Sequence, residues 1–356
     1  MENVTINQAK EIVERIVNHT VNSTHDVNLP VMLHSKPGIG KSSVVKQIAE
    51  ENGMKFIDVR LSAMDQADVQ GIPFVDHNVG EMKFSTPTWF PEDDDKTPTI
   101  VFFDEINNAA QGVQQAAYRL ILDREIHNGK KFHENVVIVA AGNNKEDKTG
   151  AKQMLPALAN RFAVHMNVVE DKDSFVEYAL EKGINYKVLG FLEWQPKYLH
   201  VMPKTNESAF PSPRSWEVVA EHLNAFGSDP KKNMGLTVAV SGAVGQAVAN
   251  SFMAYLKYFS KLPDFNKIMD GKEDYQVPQD DIGIQFAVTT SMVQHAAANI
   301  KDDKKCENLI KVYDSLPDEH KILFVKQLKV ALGKDRAAII QSPFKKLSEL
   351  RKYLKN

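Results

Sequence analysis

The sequence predicts an α/β fold for the first half of the chain and helical domains for the second half. The first half holds five apolar runs, which are separated by segments of helix length and show little alternation between apolar and polar residues. Such runs are typical of parallel strands that helices cover on both faces. After residue 168 this succession of strands and helices ends. We therefore expect a parallel five-stranded sheet flanked by helices over residues 1–169, and helical domains over residues 170–262 and 263–356.

The individual elements follow from local periodicity. Apolar residues at helical spacing over residues 6–17 predict an amphipathic first helix that ends in the polar stretch 18–28. The five predicted strands are residues 31–33, 56–60, 99–103, 136–140 and 163–168. The main helices predicted for the second half are residues 173–182, 215–226, 236–259, 284–300 and 306–315. Residues 192–213 are predicted to be a connecting loop, and residues 264–281 a polar linker.

Composition excludes several classes of protein. The 356 residues are 43% hydrophobic and 25% charged, which suits a globular protein with two or three domains. A net charge of -3 predicts no general attraction to nucleic acid. The single cysteine, Cys306, excludes an intrachain disulfide and favours a reducing compartment. Because the N-terminus has no apolar signal core and no apolar run reaches membrane-spanning length, we expect a cytoplasmic protein.

The first predicted strand leads into a loop that has the residues of a phosphate-binding site. Glycines without Cβ atoms let backbone N–H groups face phosphate oxygens at a helix N-terminus. Lys41 would reach the β- and γ-phosphates of a nucleotide, and the Ser42 hydroxyl would hold Mg²⁺. Ser35 stands where the pattern G-x-x-x-x-G-K-[ST] has its first glycine, and the neighbouring His34 is predicted to be structural. The candidate nucleotide-binding residues are Pro37, Gly38, Ile39, Gly40, Lys41, Ser42 and Ser43.

Two carboxylates follow the third predicted strand directly. Asp104 can coordinate the Mg²⁺ that Ser42 holds, and Glu105 can orient and deprotonate a water for attack on the γ-phosphate. The alternative is that both acids only begin the next helix, where acids are favoured. A phosphate loop earlier in the chain favours nucleotide hydrolysis. The D-E-x-D pattern of many nucleic-acid helicases is absent, because the fourth residue is Asn107.

Asn143 follows the fourth predicted strand, where its amide could hydrogen-bond the γ-phosphate or the attacking water. The next residues, 144–147, read Asn-Lys-Glu-Asp and match the N-K-x-D guanine motif of GTPases. GTPases also carry a D-x-x-G element, whereas Asp104 is followed by Glu, Ile and Asn. We therefore interpret the guanine motif as a coincidence.

These motifs together resemble those of the AAA+ ATPases, and within them the MoxR-type group and its dynein-related neighbours. Residues 35–43 correspond to Walker A, residues 100–105 to Walker B, and residues 139–143 to the segment that ends in the sensor 1 asparagine. Residues 155–162 resemble the family's L-P-x-A-x-x-D-R-F segment, with Asn160 in place of the aspartate, and residues 210–216 resemble its sensor 2 motif. The resemblance implies an AAA+ P-loop NTPase core, an all-helical lid and a helical C-terminal extension.

The resemblance also implies roles for two arginines. Arg161 would be an arginine finger that reaches the nucleotide of a neighbouring subunit, and Arg214 would contact the γ-phosphate from the lid. Either could instead be a surface arginine paired with an acid. The family implies a homo-oligomeric ring, in most cases a hexamer, that hydrolyses ATP with Mg²⁺ and remodels a protein client. It often works with a von Willebrand factor A-domain protein.

Two predicted hairpins are candidate client contacts. Residues 71–84 match the helix-2 insert of the MoxR-type group, and residues 125–132 form a second hairpin with Asn-Gly at its turn. In the family such hairpins face the central pore or the substrate, which makes Phe74, Met82, Lys130 and Lys131 candidate contacts. The alternative is that these residues belong to the scaffold or to solvated turns.

Two further hypotheses remain. A DNA-acting motor or loader is supported by Lys130, Lys131 and the C-terminal residues 321–356, which hold ten Lys or Arg against two acids. Such a basic run is more often a solvated helix surface. A non-catalytic, nucleotide-gated scaffold is the third hypothesis, and it differs from the others in requiring no hydrolysis at Glu105.

Overall fold

A computed structural model describes residues 1–92, 95–143, 154–203, 208–229 and 233–347 of the chain. The chain divides into two compact units, Met1–Glu170 and Asp171–Asn356. The first unit is an α/β domain and the described part of the second is helical. The predicted fold class is therefore confirmed. Residues 144–147, which match the guanine motif, and the end of the basic segment lie outside the described residues.

The first unit is built on a parallel sheet with strand order β1-β8-β2-β7-β6-β3. The five predicted strands are all present, and a sixth, Asn3–Val4, pairs with β8 at the edge. This strand has two residues, too few to show any periodicity in the sequence. The strands are β1 Asn3–Val4, β2 Val31–Ser35, β3 Lys55–Arg60, β4 Pro73–Asp76, β5 Glu81–Phe84, β6 Thr99–Asp104, β7 Val136–Asn143 and β8 Val164–Val168, of which β4 and β5 form a separate pair. The helices are α1 Ile6–Asn22, α2 Lys41–Glu51, α3 Gln66–Gln70, α4 Gln111–Asp123 and α5 Pro156–Ala159.

Both faces of the sheet are buried, which explains the apolar strands. Successive residues of a strand point to opposite faces, so that Phe103 packs in a cluster with α4 while Phe102 packs in a second cluster with α1 and α2. Polar residues therefore collect where the strands end. The first helix ends at Asn22, inside the polar stretch predicted to end it, and its last turn includes the buried Thr20.

The first predicted hairpin is confirmed as the antiparallel pair β4–β5. The second is a tight turn with a single bridge between Glu125 and Lys131, because Phe132 leaves the turn to stack on Phe90 in the core at 4.7 Å between ring centroids. The two turns touch each other. Phe84 packs edge-on against His127 with ring centroids 5.0 Å apart.

The base of the β4–β5 hairpin depends on Gly71. Its φ is 95° and its ψ 158°, a region that glycine alone occupies readily, and an added Cβ would lie 1.9 Å from the Ser85 carbonyl oxygen. We expect Gly71→Ala to lower the free energy of unfolding by about 3 kcal/mol or more, from backbone strain plus the clash. Gly80→Ala at the hairpin tip is the control. It has a φ of 71° but open space, so we expect a loss of about 1 kcal/mol. Denaturant unfolding measures both, and equal losses would contradict the prediction.

The described helices of the second unit differ from the prediction in three places. The predicted helix 236–259 is two helices, because Gly245 has a φ of 79° and a ψ of 154° and ends the first of them. The predicted loop 192–213 begins inside a helix that ends at Trp194, and the predicted linker 264–281 contains a short helix anchored by buried Phe265. The helices are α6 Lys172–Glu181, α7 Tyr186–Trp194, α8 Pro213–Phe226, α9 Met234–Val244, α10 Gln246–Phe259, α11 Phe265–Met269, α12 Ile282–Ala298, α13 Asp303–Asp314, α14 Asp318–Ala331 and α15 Ala337–Gln341.

Two apolar clusters stabilise the second unit. One surrounds Phe191, Trp216 and Phe252, and the other surrounds Tyr313 and Phe324. Helix α12 contributes to both clusters. Within the described residues, no helix is both long enough and apolar enough to cross a lipid bilayer.

Candidate active site

Polar side chains gather where three adjacent strands of the sheet end. Ser35 ends β2 and is the register partner of Asn143, the last residue of β7. Asp104 ends β6, the next strand along. Because ligands bind outside the carboxyl ends of strands in such sheets, this edge is the candidate site.

The loop between β2 and α2 has the backbone geometry of a phosphate cradle. Gly38 has a φ of 79° and Gly40 a φ of 104°, left-handed values that other residues rarely adopt. Gly40 caps α2, and the first backbone N–H groups of a helix point out of its N-terminal end, where they can donate to a ligand. An anion placed there would meet these donors and the positive end of the helix dipole. Residues 37–43, the predicted nucleotide-binding segment, all lie in this loop and this first turn.

Lys41 is buried at the centre of the cradle. Its Nζ donates to Ser35 Oγ at 2.5 Å and to Asn143 Oδ1 at 3.3 Å, and lies 3.5 Å from the Lys36 carbonyl oxygen. Ser35 is itself buried and donates to the same carbonyl at 2.6 Å. Ser35, which replaces the usual first glycine of the pattern, therefore provides a hydrogen-bond acceptor for the Lys41 ammonium group. The sequence alone did not predict this role.

Ser42 and Asp104 are in direct contact through their side-chain oxygen atoms. Ser42 Oγ donates to Asp104 Oδ2 at 3.2 Å, and Asp104 is largely buried. Burial, and to a smaller extent the nearby Asp104 carboxylate, raise the pKa of Asp58 on β3. A hydroxyl and a carboxylate suit Mg²⁺, which takes one or two protein oxygens and completes its shell with phosphates and water. Among the described residues no group of three or more His, Cys, Asp or Glu could hold a metal by itself.

Glu105 leaves the strand in a strained conformation. Its φ is 54° and its ψ 31°, left-handed values that cost a non-glycine residue roughly 1–2 kcal/mol. Its backbone N–H donates to Asp104 Oδ1 at 2.8 Å, and its carboxylate accepts a hydrogen bond from the Ser62 hydroxyl. Ser62, which follows β3, is a positioning residue that the sequence did not indicate. The carboxylate is thus held at the candidate site while Asp104 faces Ser42.

Asn107 fixes the main chain of Asn143. The Asn107 amide donates from Nδ2 to the Asn143 carbonyl at 2.6 Å and accepts at Oδ1 from the Asn143 N–H at 3.2 Å. These two hydrogen bonds link the segment that follows β6 to the last residue of β7, beyond the last backbone pair of the two strands. The Asn143 side chain is left to contact Lys41.

Arg161 lies in the turn after α5. Its Nη1 donates to the Ala157 carbonyl, and its Cζ lies 4.5 Å from the centre of the Tyr118 ring on α4. The described contacts of this side chain are thus with its own segment and with α4. In the structure Lys41 contacts Ser35 and Asn143, and Ser42 contacts Asp104. Arg161 lies elsewhere in the first unit, in the turn after α5.

Arg214 belongs to the second unit, at the second residue of α8, and is exposed. Ser212 caps this helix by accepting from the Ser215 N–H at 3.2 Å. The buried Trp216 anchors the same turn, because its Nε1 donates to the Tyr198 carbonyl at 2.7 Å. The arginine is therefore presented at a firmly held helix N-terminus.

Comparison with known proteins supports the interpretation of the first unit. Residues 31–169 match the family model described as "ATPase family associated with various cellular activities (AAA)". Protein CdcH of Halobacterium salinarum is 29% identical over 149 residues, which are 39% of this chain and 19% of that protein. ATPase family gene 2 protein of Schizosaccharomyces pombe is 30% identical over 135 residues, 37% of this chain and 15% of that protein. Lon protease of Porphyromonas gingivalis is 28% identical over 135 residues, 35% of this chain and 15% of that protein. The chain thus matches less than a fifth of the length of each relative.

Proposed function

We propose that this chain, whose residues 31–169 match the AAA family model, is an AAA+ ATPase that hydrolyses ATP at the subunit interfaces of a homo-oligomeric ring and remodels a protein partner. The observation that carries the hydrolysis is the contact of Ser42 with Asp104 beside a lysine that already binds Asn143. One glycine loop, one cation, one carboxylate and one amide converge on the place where a γ-phosphate would lie. Phosphoryl transfer needs this kind of positioned charge more than covalent chemistry.

Each candidate site residue of the first unit has a defined role in this proposal. The amides of the loop bind the phosphates, and Lys41 exchanges Ser35 Oγ for β- and γ-phosphate oxygens. Glu105 orients a water and takes its proton, and the Asn143 amide hydrogen-bonds the water or the γ-phosphate. Ser42 and Asp104 would hold Mg²⁺, which, when bound, neutralises phosphate charge. Arg161 would act on the nucleotide of the neighbouring subunit.

The second unit would report the state of the nucleotide. Arg214 would contact the γ-phosphate from the capped start of α8, so that its helix responds to hydrolysis. The two apolar clusters of this unit are the basis for proposing a lid over residues 170–262 and an extension over residues 263–356. The β4–β5 hairpin lies between β3 and β6, where the MoxR-type group has its insert, and this position supports our proposal that the protein belongs to that group.

The β4–β5 hairpin is the proposed client contact. Phe74 is 48% exposed and Met82 is 68% exposed, and three further apolar residues of the hairpin region are exposed as well. Exposed apolar side chains concentrated on one short hairpin are typical of a binding surface. A protein client, such as a von Willebrand factor A-domain protein, fits this surface better than DNA does. A cytoplasmic location, which rests on the single cysteine, belongs to the same proposal.

Client binding can be tested with a variant that keeps ATP. Glu105→Gln held in ATP is expected to retain its client, because a remodeller that cannot hydrolyse stays in its binding state. Adding Phe74→Ser and Met82→Ser should remove the retained proteins, since both side chains are solvent-facing and their loss leaves the core intact. Leu122→Ser, at a 51% exposed position on α4, is the matched control and should change nothing. Copurification followed by mass spectrometry measures this, and identical protein sets in all variants would contradict the assignment.

The DNA-acting alternative makes a different prediction. We expect single- or double-stranded DNA to change the ATPase rate by no more than about twofold, because the net charge is negative and Lys131 lies 3.7 Å from Glu125. ATPase rates with and without each DNA, at several salt concentrations, measure this. A strong stimulation that disappears in Lys130→Ala/Lys131→Ala and persists in Lys46→Ala would favour the DNA motor instead.

A further inference from the structure

Two histidines on adjacent strands form a partly buried contact next to the phosphate loop. His34 on β2 and His165 on β8 stack with ring centroids 5.4 Å apart and an angle of 22° between their planes. His34 Nε2 lies 3.0 Å from His165 Nδ1. The residues are 131 positions apart in the sequence, and no part of the proposed chemistry uses them.

The hydrogen bonds of this pair have one direction. His165 Nε2 lies 2.9 Å from the Ala159 carbonyl oxygen, which can only accept, so this nitrogen carries the proton. In the tautomer whose single proton is on Nε2, His165 accepts at Nδ1 and His34 donates from Nε2. Burial, His165 and Lys41 together lower the pKa of His34 to about 4, so the His34 ring is neutral at physiological pH. The result is a continuous series of hydrogen bonds from His34 through His165 to Ala159.

The two ends of this series of hydrogen bonds lie at two different parts of the proposed active site. His34 immediately precedes Ser35, which accepts from Lys41. At the other end, Ala159 is the last residue of α5 and Arg161 follows two positions later. Phe162 also packs edge-on against His165, with ring centroids 5.7 Å apart. The residues on both sides of Arg161 therefore contact His165.

The sheet itself does not provide this connection. Backbone pairing joins β2 to β8 over Val31–Ser35 and Val164–Val168, but Ala159 ends α5 and Arg161 lies in the turn before β8 begins. The Ala159 carbonyl also accepts from the Phe162 N–H at 3.2 Å, so the contact with His165 fixes a peptide that defines the shape of the turn.

We propose that His34 and His165 are positioning residues that hold the Ala159–Phe162 turn against the phosphate-binding strand, so that each subunit presents Arg161 to its neighbour in a fixed position. This proposal rests on the proposed function, in which Arg161 acts in trans. In this proposal His165 positions the arginine that its subunit supplies to the neighbouring subunit. It does not act on the nucleotide that its own subunit binds. The pair thereby links the strand that carries one subunit's phosphate loop to hydrolysis in the next subunit.

The test uses mixed rings with complementary defects. Arg161→Ala subunits keep their own nucleotide site but donate no arginine, and Glu105→Gln subunits donate Arg161 but cannot hydrolyse. Mixing the two should restore ATPase activity at those interfaces where a Glu105→Gln subunit faces an Arg161→Ala subunit. His165→Phe is then added to one partner at a time, because phenylalanine keeps a ring at this position but makes neither hydrogen bond.

We expect a drop of about ten- to a hundredfold in the restored kcat when His165→Phe is in the arginine donor, since small misplacements of a catalytic group have effects of this size. The same substitution in the acceptor should change the restored kcat by less than about threefold, because the loop, Glu105 and Asn143 are unchanged there. His165→Gln in the donor should recover most of the activity, because its amide both donates to Ala159 and accepts from His34.

The opposite outcomes overturn the proposal. A loss confined to the acceptor would place the effect of His165 on the nucleotide site of its own subunit, and equal losses in both would make the pair merely structural. His165→Gln covers the case in which His165→Phe fails to assemble, as checked by thermal unfolding and ring size. If mixing restores no activity even without the His165 changes, the trans role of Arg161 is wrong, and that failure is seen before any histidine is changed.

Discussion

Glu105→Gln is expected to lower kcat for ATP hydrolysis by about 10²–10⁴-fold, the usual contribution of a general base, while ATP binding is kept. Glutamine has nearly the same shape and can still accept a hydrogen bond from Ser62, but it cannot take a proton from water. The residues that bind the phosphates are untouched by this change. The variant should therefore fill with ATP and hold it.

Single-turnover hydrolysis and equilibrium ATP binding, measured on the same preparation, separate the two effects. Glu50→Gln is the matched control, because its exposed side chain on α2 lies 3.8 Å from Lys46 and away from the strand ends. A Glu105→Gln variant that hydrolyses ATP normally would show that another group activates the water. Loss of turnover with all cellular function intact would instead favour the nucleotide-gated scaffold.

Arg161→Ala is expected to have a still larger effect, about 10³–10⁵-fold on kcat, because arginine fingers neutralise the charge that develops on the γ-phosphoryl oxygens. In its own subunit Arg161 contacts Ala157 and the Tyr118 ring, so its loss should affect folding little. The affinity for ATP should change much less than kcat.

Two measurements make this prediction specific. The activity per subunit of the unmodified protein should rise with protein concentration as rings assemble, and that of Arg161→Ala should remain low at every concentration. Arg15→Ala on the surface of α1, where Arg15 pairs with Glu11 at 2.7 Å, is the control. Full activity of Arg161→Ala in a well-assembled ring would show that the arginine finger is another residue.

The sheet could be predicted from the sequence because buried parallel strands are recognisable one strand at a time. Each of the five runs is mostly apolar, and the structure places each strand within a few residues of its predicted limits. The residues at the strand ends could be proposed for the same reason, since a parallel sheet brings those ends to one edge. The structure puts Ser42 in contact with Asp104 and Lys41 in contact with Asn143, while their chemical roles remain predictions.

The remaining parts of the site depend on contacts between distant residues, which no local pattern encodes. Ser62 donates to Glu105 from 43 positions away, and the two histidines are 131 positions apart. The break at Gly245 was missed for a related reason. A glycine in an apolar helical pattern is compatible with a continuous helix, and only the tertiary structure gives it a positive φ.

The Asn107–Asn143 contact has a consequence for mutational tolerance. Aspartate at position 107 would lose the donor to the Asn143 carbonyl, and serine would be too short to make both hydrogen bonds. Gly142 is equally restricted, because an added Cβ would lie 2.6 Å from Asn107 Oδ1 and 2.9 Å from Met32 Cε. A saturation scan scored by ATPase activity should therefore find positions 107 and 142 almost as intolerant of substitution as the phosphate loop, although neither residue is proposed to contact the nucleotide.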